Sequence, residues 1–306
     1  MANFLIVCKQ VLILFVLLFV GFFLGKRQII TEKGGKVCSD LAMFLATPCV
    51  IIISFQQPYS TALLQDLLLA LGVSFGIHLV GIVVTHLVYR KNDATTNIYR
   101  ASSVMSNASF MGIPLQQALL GEKGIIYGAA YSVALTVVLW TYGVLVMGKK
   151  GEKISLAKVL LNPGSIGLVV GLLLFVCRIT LPELIHAPVQ HLAALNTPLP
   201  MLFAGYYLSK IDMKKALGIR GNYGAVAMRL VIVPIIAVAV LFVCGVRGTL
   251  LISMMVSACA PTAISMAMLA DRLQADTETA INLVALSTLA SVVTMPILIA
   301  TIQQFA

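Results

Sequence analysis

Ser106-Asn107-Ala108-Ser109-Phe110-Met111-Gly112-Ile113-Pro114 lies in the middle of an apolar segment, residues 97–119, long enough to cross a bilayer. A continuous spanning helix has little use for Asn, two Ser, Gly and Pro at its centre. Proline removes a backbone donor and clashes with the preceding turn. The groups freed in this way cannot be satisfied by hydrocarbon, so such a break persists only where it packs in protein or lines a cavity. The stretch therefore predicts a cavity at membrane depth with the rest of the chain arranged around it.

Composition agrees. The 306 residues are 60% hydrophobic and 10% charged, and their mean hydropathy is +1.01. Soluble domains carry about 25% charged residues, so this is the composition of a polytopic membrane protein. The net charge of +10 comes from basic residues in short loops between apolar runs, which argues against a nucleic-acid-binding surface. The first apolar run, from Phe4 to Leu24, has spanning length and no basic leader, so it reads as a helix rather than a signal peptide. Cys8, Cys38, Cys49, Cys177, Cys244 and Cys259 form no CxxC pair and no Cys/His cluster, and read as small apolar residues. No metal site or cofactor is expected.

The fold class predicted is an all-α polytopic membrane protein with ten spans, near 4–24, 37–56, 66–89, 97–119, 125–147, 158–180, 192–209, 225–245, 249–270 and 278–302. Sixteen Lys and Arg fall in the odd-numbered loops and three in the even-numbered ones. The positive-inside bias then places the odd loops in the cytoplasm and both termini outside. Lys9 and Arg229, the remaining basics, are expected near helix ends with their charges reaching water.

Two halves are visible. Leu45-Ala46-Thr47-Pro48 in the second span is echoed by Leu195-Asn196-Thr197-Pro198 in the seventh, and Pro114 in the fourth by Pro261 in the ninth. The single transporter domain, 1–306, thus divides into five-span repeats at 1–148 and 154–306. Five is odd, so the second half enters the membrane inverted. The broken fourth and ninth helices would cross near the midplane, each proline opening a second half-helix. Two helix N-termini would then converge there, offering free N–H groups and partial positive charge to an anion without a buried Arg or Lys. The side chains expected to line this site are Ser106, Asn107, Ser109, Gly112 and Pro114 from the first break, and Ser257, Cys259, Pro261 and Thr262 from the second; Ser265 adds another hydroxyl.

At these residues the chain resembles the auxin efflux carrier family, whose plant members are the PIN-FORMED carriers. The family's Asn-x-x-x-Met-Gly-Ile-Pro-Leu pattern is matched by Asn107 through Leu115, its ninth-helix proline by Pro261, and its tenth-helix proline by Pro296. The resemblance implies a substrate carboxylate held near Asn107 and a moving domain sliding, elevator-fashion, against a scaffold. Spans 1, 2, 6 and 7 would be the scaffold, and a homodimer is implied. Unlike the plant carriers, this chain has no long loop between spans five and six. The compact form is similar to prokaryotic members associated with malonate, malate and other small carboxylates, while the related bile acid:sodium symporters share the inverted repeat.

The expected function is transport of small organic anions by alternating access, and the expected partners are the anion and membrane lipid. No acidic residue lies mid-span, which disfavours a carboxylate proton relay. His78, deep in the third span, and Asp66, at its start, are the candidates for coupling or gating. The sequence leaves sodium and proton coupling open. A receptor binding an organic anion with the same fold is the alternative reading. An intramembrane enzyme would need a mid-membrane catalytic pair, and none is evident.

Overall fold

A computed structural model describes residues 2–148, 161, 163–211 and 213–304. Among these the chain is helical throughout: α1 Ala2–Lys26, α2 Glu32–Ser54, α3 Thr61–Val88, α4 Ala94–Val104, α5 Ile113–Leu120, α6 Lys123–Met147, α7 Pro163–Val176, α8 Glu183–Ala194, α9 Pro198–Lys210, α10 Met213–Gly218, α11 Arg220–Val243, α12 Gly248–Cys259, α13 Ile264–Arg272 and α14 Thr277–Ile302. Six of these are long and apolar enough to cross a membrane: α1, α2, α3, α6, α11 and α14. The helices α7 and α12 are apolar but shorter. The fourth and ninth expected spans are each broken in two, as α4 with α5 and α12 with α13. The boundary between the proposed halves, and the start of the sixth expected span, lie outside the described residues.

Helix starts follow from short polar side chains. The Thr31 hydroxyl accepts from Gly34 N at 3.3 Å, Asp93 from Thr96 N at 2.9 Å and Asp276 from Thr279 N at 3.1 Å. Each satisfies a donor that the first turn leaves orphaned. Ser60 caps α3 in the same way, so that helix opens at Thr61 and Asp66 sits inside it rather than at its start. The seventh expected span starts nine residues early, as α8, and is interrupted at Leu195–Thr197 before α9.

Prolines shape the interior. Pro48, Pro114 and Pro234 each fall in the first turn of a helical segment that follows a π turn, at Ala42–Ala46, Ala108–Gly112 and Met228–Ile232. A proline cannot donate to the carbonyl four residues back, and the ladder locally widens to spare the clash. A fourth π turn, Leu139–Gly143, lies in α6.

Two sets of helices stand out, joined through α1, which also packs against α5 and α14. In one, α1 lies along α9, and α2 packs against α7, α8 and α9. The α1–α9 contact needs glycine: a Cβ on Gly205 would stand 1.9 Å from the Leu18 carbonyl oxygen. In the other group α3 packs on α6, and α14 packs on α12 and α13. The two broken segments, α4–α5 and α12–α13, cross inside this second group.

Candidate functional site

The crossing solves the backbone problem that the breaks create. Asn107 N donates to Pro261 O at 2.7 Å, and Ala263 N donates to Met105 O at 2.9 Å. Ser106 and Thr262 thereby form a single antiparallel bridge, the only bridge among the described residues. Four polar groups that would each cost several kcal/mol in hydrocarbon are paired with one another. Pro114 does not open the second half-helix: that segment starts after Asn107 with the π turn Ala108–Gly112, and Pro114 lies where α5 continues it. Pro261 does not open α13: it lies in the extended break itself, where its carbonyl is an acceptor, and α13 starts three residues later.

Behind the bridge, the carbonyls at the ends of α4 and α12 are satisfied by side chains. Ser106 Oγ donates to Ser257 O at 2.7 Å, and Thr262 Oγ1 to Ser102 O at 3.2 Å. Arg229 supplies most of the rest. Its Nε donates to Ala260 O at 3.0 Å, its Nη1 to Ser103 O at 3.0 Å and Val104 O at 3.2 Å, and its Nη2 to Ala258 O. Arg229 is 1% exposed, so it does not reach water as its sequence position suggests. It sits on the π turn Met228–Ile232, which aims its guanidinium at the crossing. Among the described residues no carboxylate pairs with it. Tyr131 and Cys259 are its side-chain neighbours, and the His78 ring lies tilted against Tyr131, centroids 4.8 Å apart. His78 is buried, with Nδ1 2.7 Å from Ser74 O and Nε2 without a partner among the described residues.

The opposite face of the crossing is open. A cavity of about 340 Å³ is lined there by Ser106, Asn107, Ser109 and Phe110 from the first break and by Ala263 and Ser265 from the second. These are the cap and first turn of the helical segments that follow the breaks, where backbone N–H groups have no intrahelical acceptor. The segment before α5 opens with Asn107 in the cap position, yet the Asn107 side chain makes no capping bond. It is 3% exposed and lies against the cavity with its amide free to bond a guest. Thr47 and Thr136 add hydroxyls, and Phe44, Leu135, Leu139, Trp140 and Leu269 an apolar wall. Three of the four π turns thus supply cavity walls, through Phe44, Phe110 and Trp140. Leu161, Pro163 and Arg272 stand at the rim. A guest with a carboxylate at the two first turns and an apolar body against Trp140 and the leucines matches this distribution.

The remaining expected residues are not in the lining. Gly112, Pro114, Ser257, Cys259, Pro261 and Thr262 are buried behind it, Ser257 accepting from the buried Gln116 amide at 2.7 Å. His78 lies in the cluster behind the crossing, and Asp66 accepts from Tyr127 Oη at 3.2 Å; neither touches the cavity. Besides Arg229, the structure adds Asn196, whose Nδ2 donates to Ser109 O at 3.2 Å. The Thr47 hydroxyl lies 3.0 Å from Asn196 Oδ1. The two Thr-Pro motifs noticed as a repeat therefore meet beside the cavity. A larger recess, about 810 Å³, is lined by Glu32, Lys210, Lys215, Asp271 and Glu278 among others, with charges of both signs and no residue of either break.

Comparison with known proteins follows from this geometry. A family model described as "Membrane transport protein" matches the chain twice, over residues 6–159 and 153–299. The chain is similar to the "Uncharacterized transporter MJ1031" of Methanocaldococcus jannaschii, 24% identical over 248 residues, covering 78% of this chain and 80% of that one.

Proposed function

The chain belongs to the membrane transport protein family of the auxin efflux carriers, and from that premise we propose that it carries small organic anions across the membrane by alternating access. The observation that carries the proposal is the shared cavity: the first turns of both second half-helices and the unbonded Asn107 amide face one 340 Å³ space. The carboxylate of the substrate sits at Asn107, Ser109, Ala263 and Ser265, and its body lies against Trp140, Leu139 and Leu269.

The ten spans form two inverted repeats with the termini outside. The positive-inside bias and the repeated Thr-Pro motifs support this reading, and the family model's two matches, 6–159 and 153–299, divide the chain near the same point. Leu161 and Pro163, at the start of the sixth span, and Arg272, at the close of the ninth, lie at the span ends that adjoin odd-numbered loops, which supports a site that opens toward the cytoplasm. The packing of α1, α2, α7, α8 and α9 into one group supports a scaffold past which the crossing slides. A potential negative inside suffices to drive export of a monovalent anion, at about 2.3 kcal/mol per 100 mV.

The test is uptake and efflux of malonate, malate, oxalate and indole-3-acetate in proteoliposomes, with and without sodium, proton and potential gradients. Movement of at least one acid, inhibited by its own excess, is expected. A protein that moves none of them in any gradient contradicts the proposal.

A further inference from the structure

Four helix ends meet at the crossing: the C-termini of α4 and α12 and the N-termini of the segments leading into α5 and α13. A C-terminus carries roughly −0.5 of an elementary charge and an N-terminus roughly +0.5. Two of each sum to about zero. The negative ends behind the crossing therefore offset much of the attraction that its positive ends give an approaching anion, contrary to the expectation that converging N-termini suffice.

We propose that Arg229 is what makes the crossing select anions. Its guanidinium bonds Ser103 and Val104 carbonyls at the end of α4 and Ala258 and Ala260 carbonyls at the end of α12. One full positive charge cancels the two negative ends and leaves the two positive ends uncompensated toward the cavity. No carboxylate among the described residues neutralises the guanidinium in turn. Arg229 does not line the cavity and touches no guest; it is a positioning residue that sets the potential from behind. A bare carboxylate counter-ion would undo this. Backbone carbonyls satisfy the hydrogen-bonding demand of a buried guanidinium without cancelling all of its charge.

The inference deepens the reading of the cavity as an anion site, and its test uses no substrate, so each can fail alone. Ser109→Cys places a thiol in the lining. Full-length protein in nanodiscs is treated with an anionic methanethiosulfonate (sulfonatoethyl) or a cationic one (trimethylammonium-ethyl). Modification of residue 109 is followed by peptide mass spectrometry, and each rate is normalised to that of free 2-mercaptoethanol. Thiol ionisation affects both reagents alike and cancels in the ratio.

With Arg229 present the normalised ratio favours the anionic reagent. Arg229→Gln lowers the ratio by at least about tenfold, the effect of a unit charge across one helix diameter of about 10 Å at an effective dielectric near 20. Arg229→Lys, which keeps the charge, retains the preference. If Arg229→Gln is not recovered folded, Cys259→Asp sets a carboxylate beside the intact guanidinium and must abolish the preference instead. A ratio near one with Arg229 present, or a ratio unmoved in folded Arg229→Gln or Cys259→Asp, overturns the proposal. So does a folded Arg229→Lys protein that has lost the preference.

Discussion

The two faces of the crossing are built from the same few residues and are opposites. On the closed face, at the ends of α4 and α12, side chains reach the carbonyls: Ser106, Thr262 and Arg229 bond six residues' C=O groups between them. On the open face, Asn107, Ser109 and Phe110 from the first break and Ala263 and Ser265 from the second line the cavity. The contrast separates two roles: the closed face holds the break together, and the open face lines the cavity proposed as the substrate site.

Substitutions should separate the faces by their effect on stability. Arg229→Gln strips donors from four buried carbonyls and should cost about 4 kcal/mol or more, read as a large fall in thermal midpoint in mild detergent. Arg229→Lys, with a compact ammonium in place of the fork, should lose roughly half as much. Ser106→Ala removes one closed-face bond, to Ser257 O, and should cost about 1 kcal/mol. Asn196→Ala breaks the links to Thr47 and Ser109 next to the cavity. It should cost about 0.5–1.5 kcal/mol and change transport rate more than affinity, measured as kcat against KM. Asn107→Ala should move the midpoint least, by under about 0.5 kcal/mol, because its amide bonds nothing in the protein. An Asn107→Ala protein destabilised as much as Ser106→Ala would erase the distinction between the faces.

Much of the crossing was legible in the sequence. Proline, glycine and asparagine in an apolar run signal a break wherever hydrocarbon is the solvent, and Ser106 to Pro114 does contain one. The place of the break was less legible. The chain leaves the helix at Met105–Asn107, well before Pro114, because a π turn absorbs the proline clash. Arg229 was misread for a physical reason: its partners are carbonyls 29–31 and 125–126 residues away. Any residue type offers the same carbonyl, so no pattern in the sequence marks it. An arginine inside the apolar span 225–245, with no acidic partner at helical spacing, is the available signal. The Thr47 and Asn196 contact was half visible, since both belong to the repeated Leu-x-Thr-Pro motif. Its meaning depends on α2 and the α8–α9 turn meeting, which one-dimensional spacing does not specify.

In the proposed function the open face binds the substrate carboxylate through Asn107. The most direct test compares uptake of a radiolabelled carboxylic acid into proteoliposomes holding equal amounts of folded parent and Asn107→Ala protein. The account predicts transport by the parent, reduced at least about tenfold in the variant at an unchanged thermal midpoint, the loss of one hydrogen bond to a charged group. Equal transport with equal apparent affinity in the two proteins would contradict it.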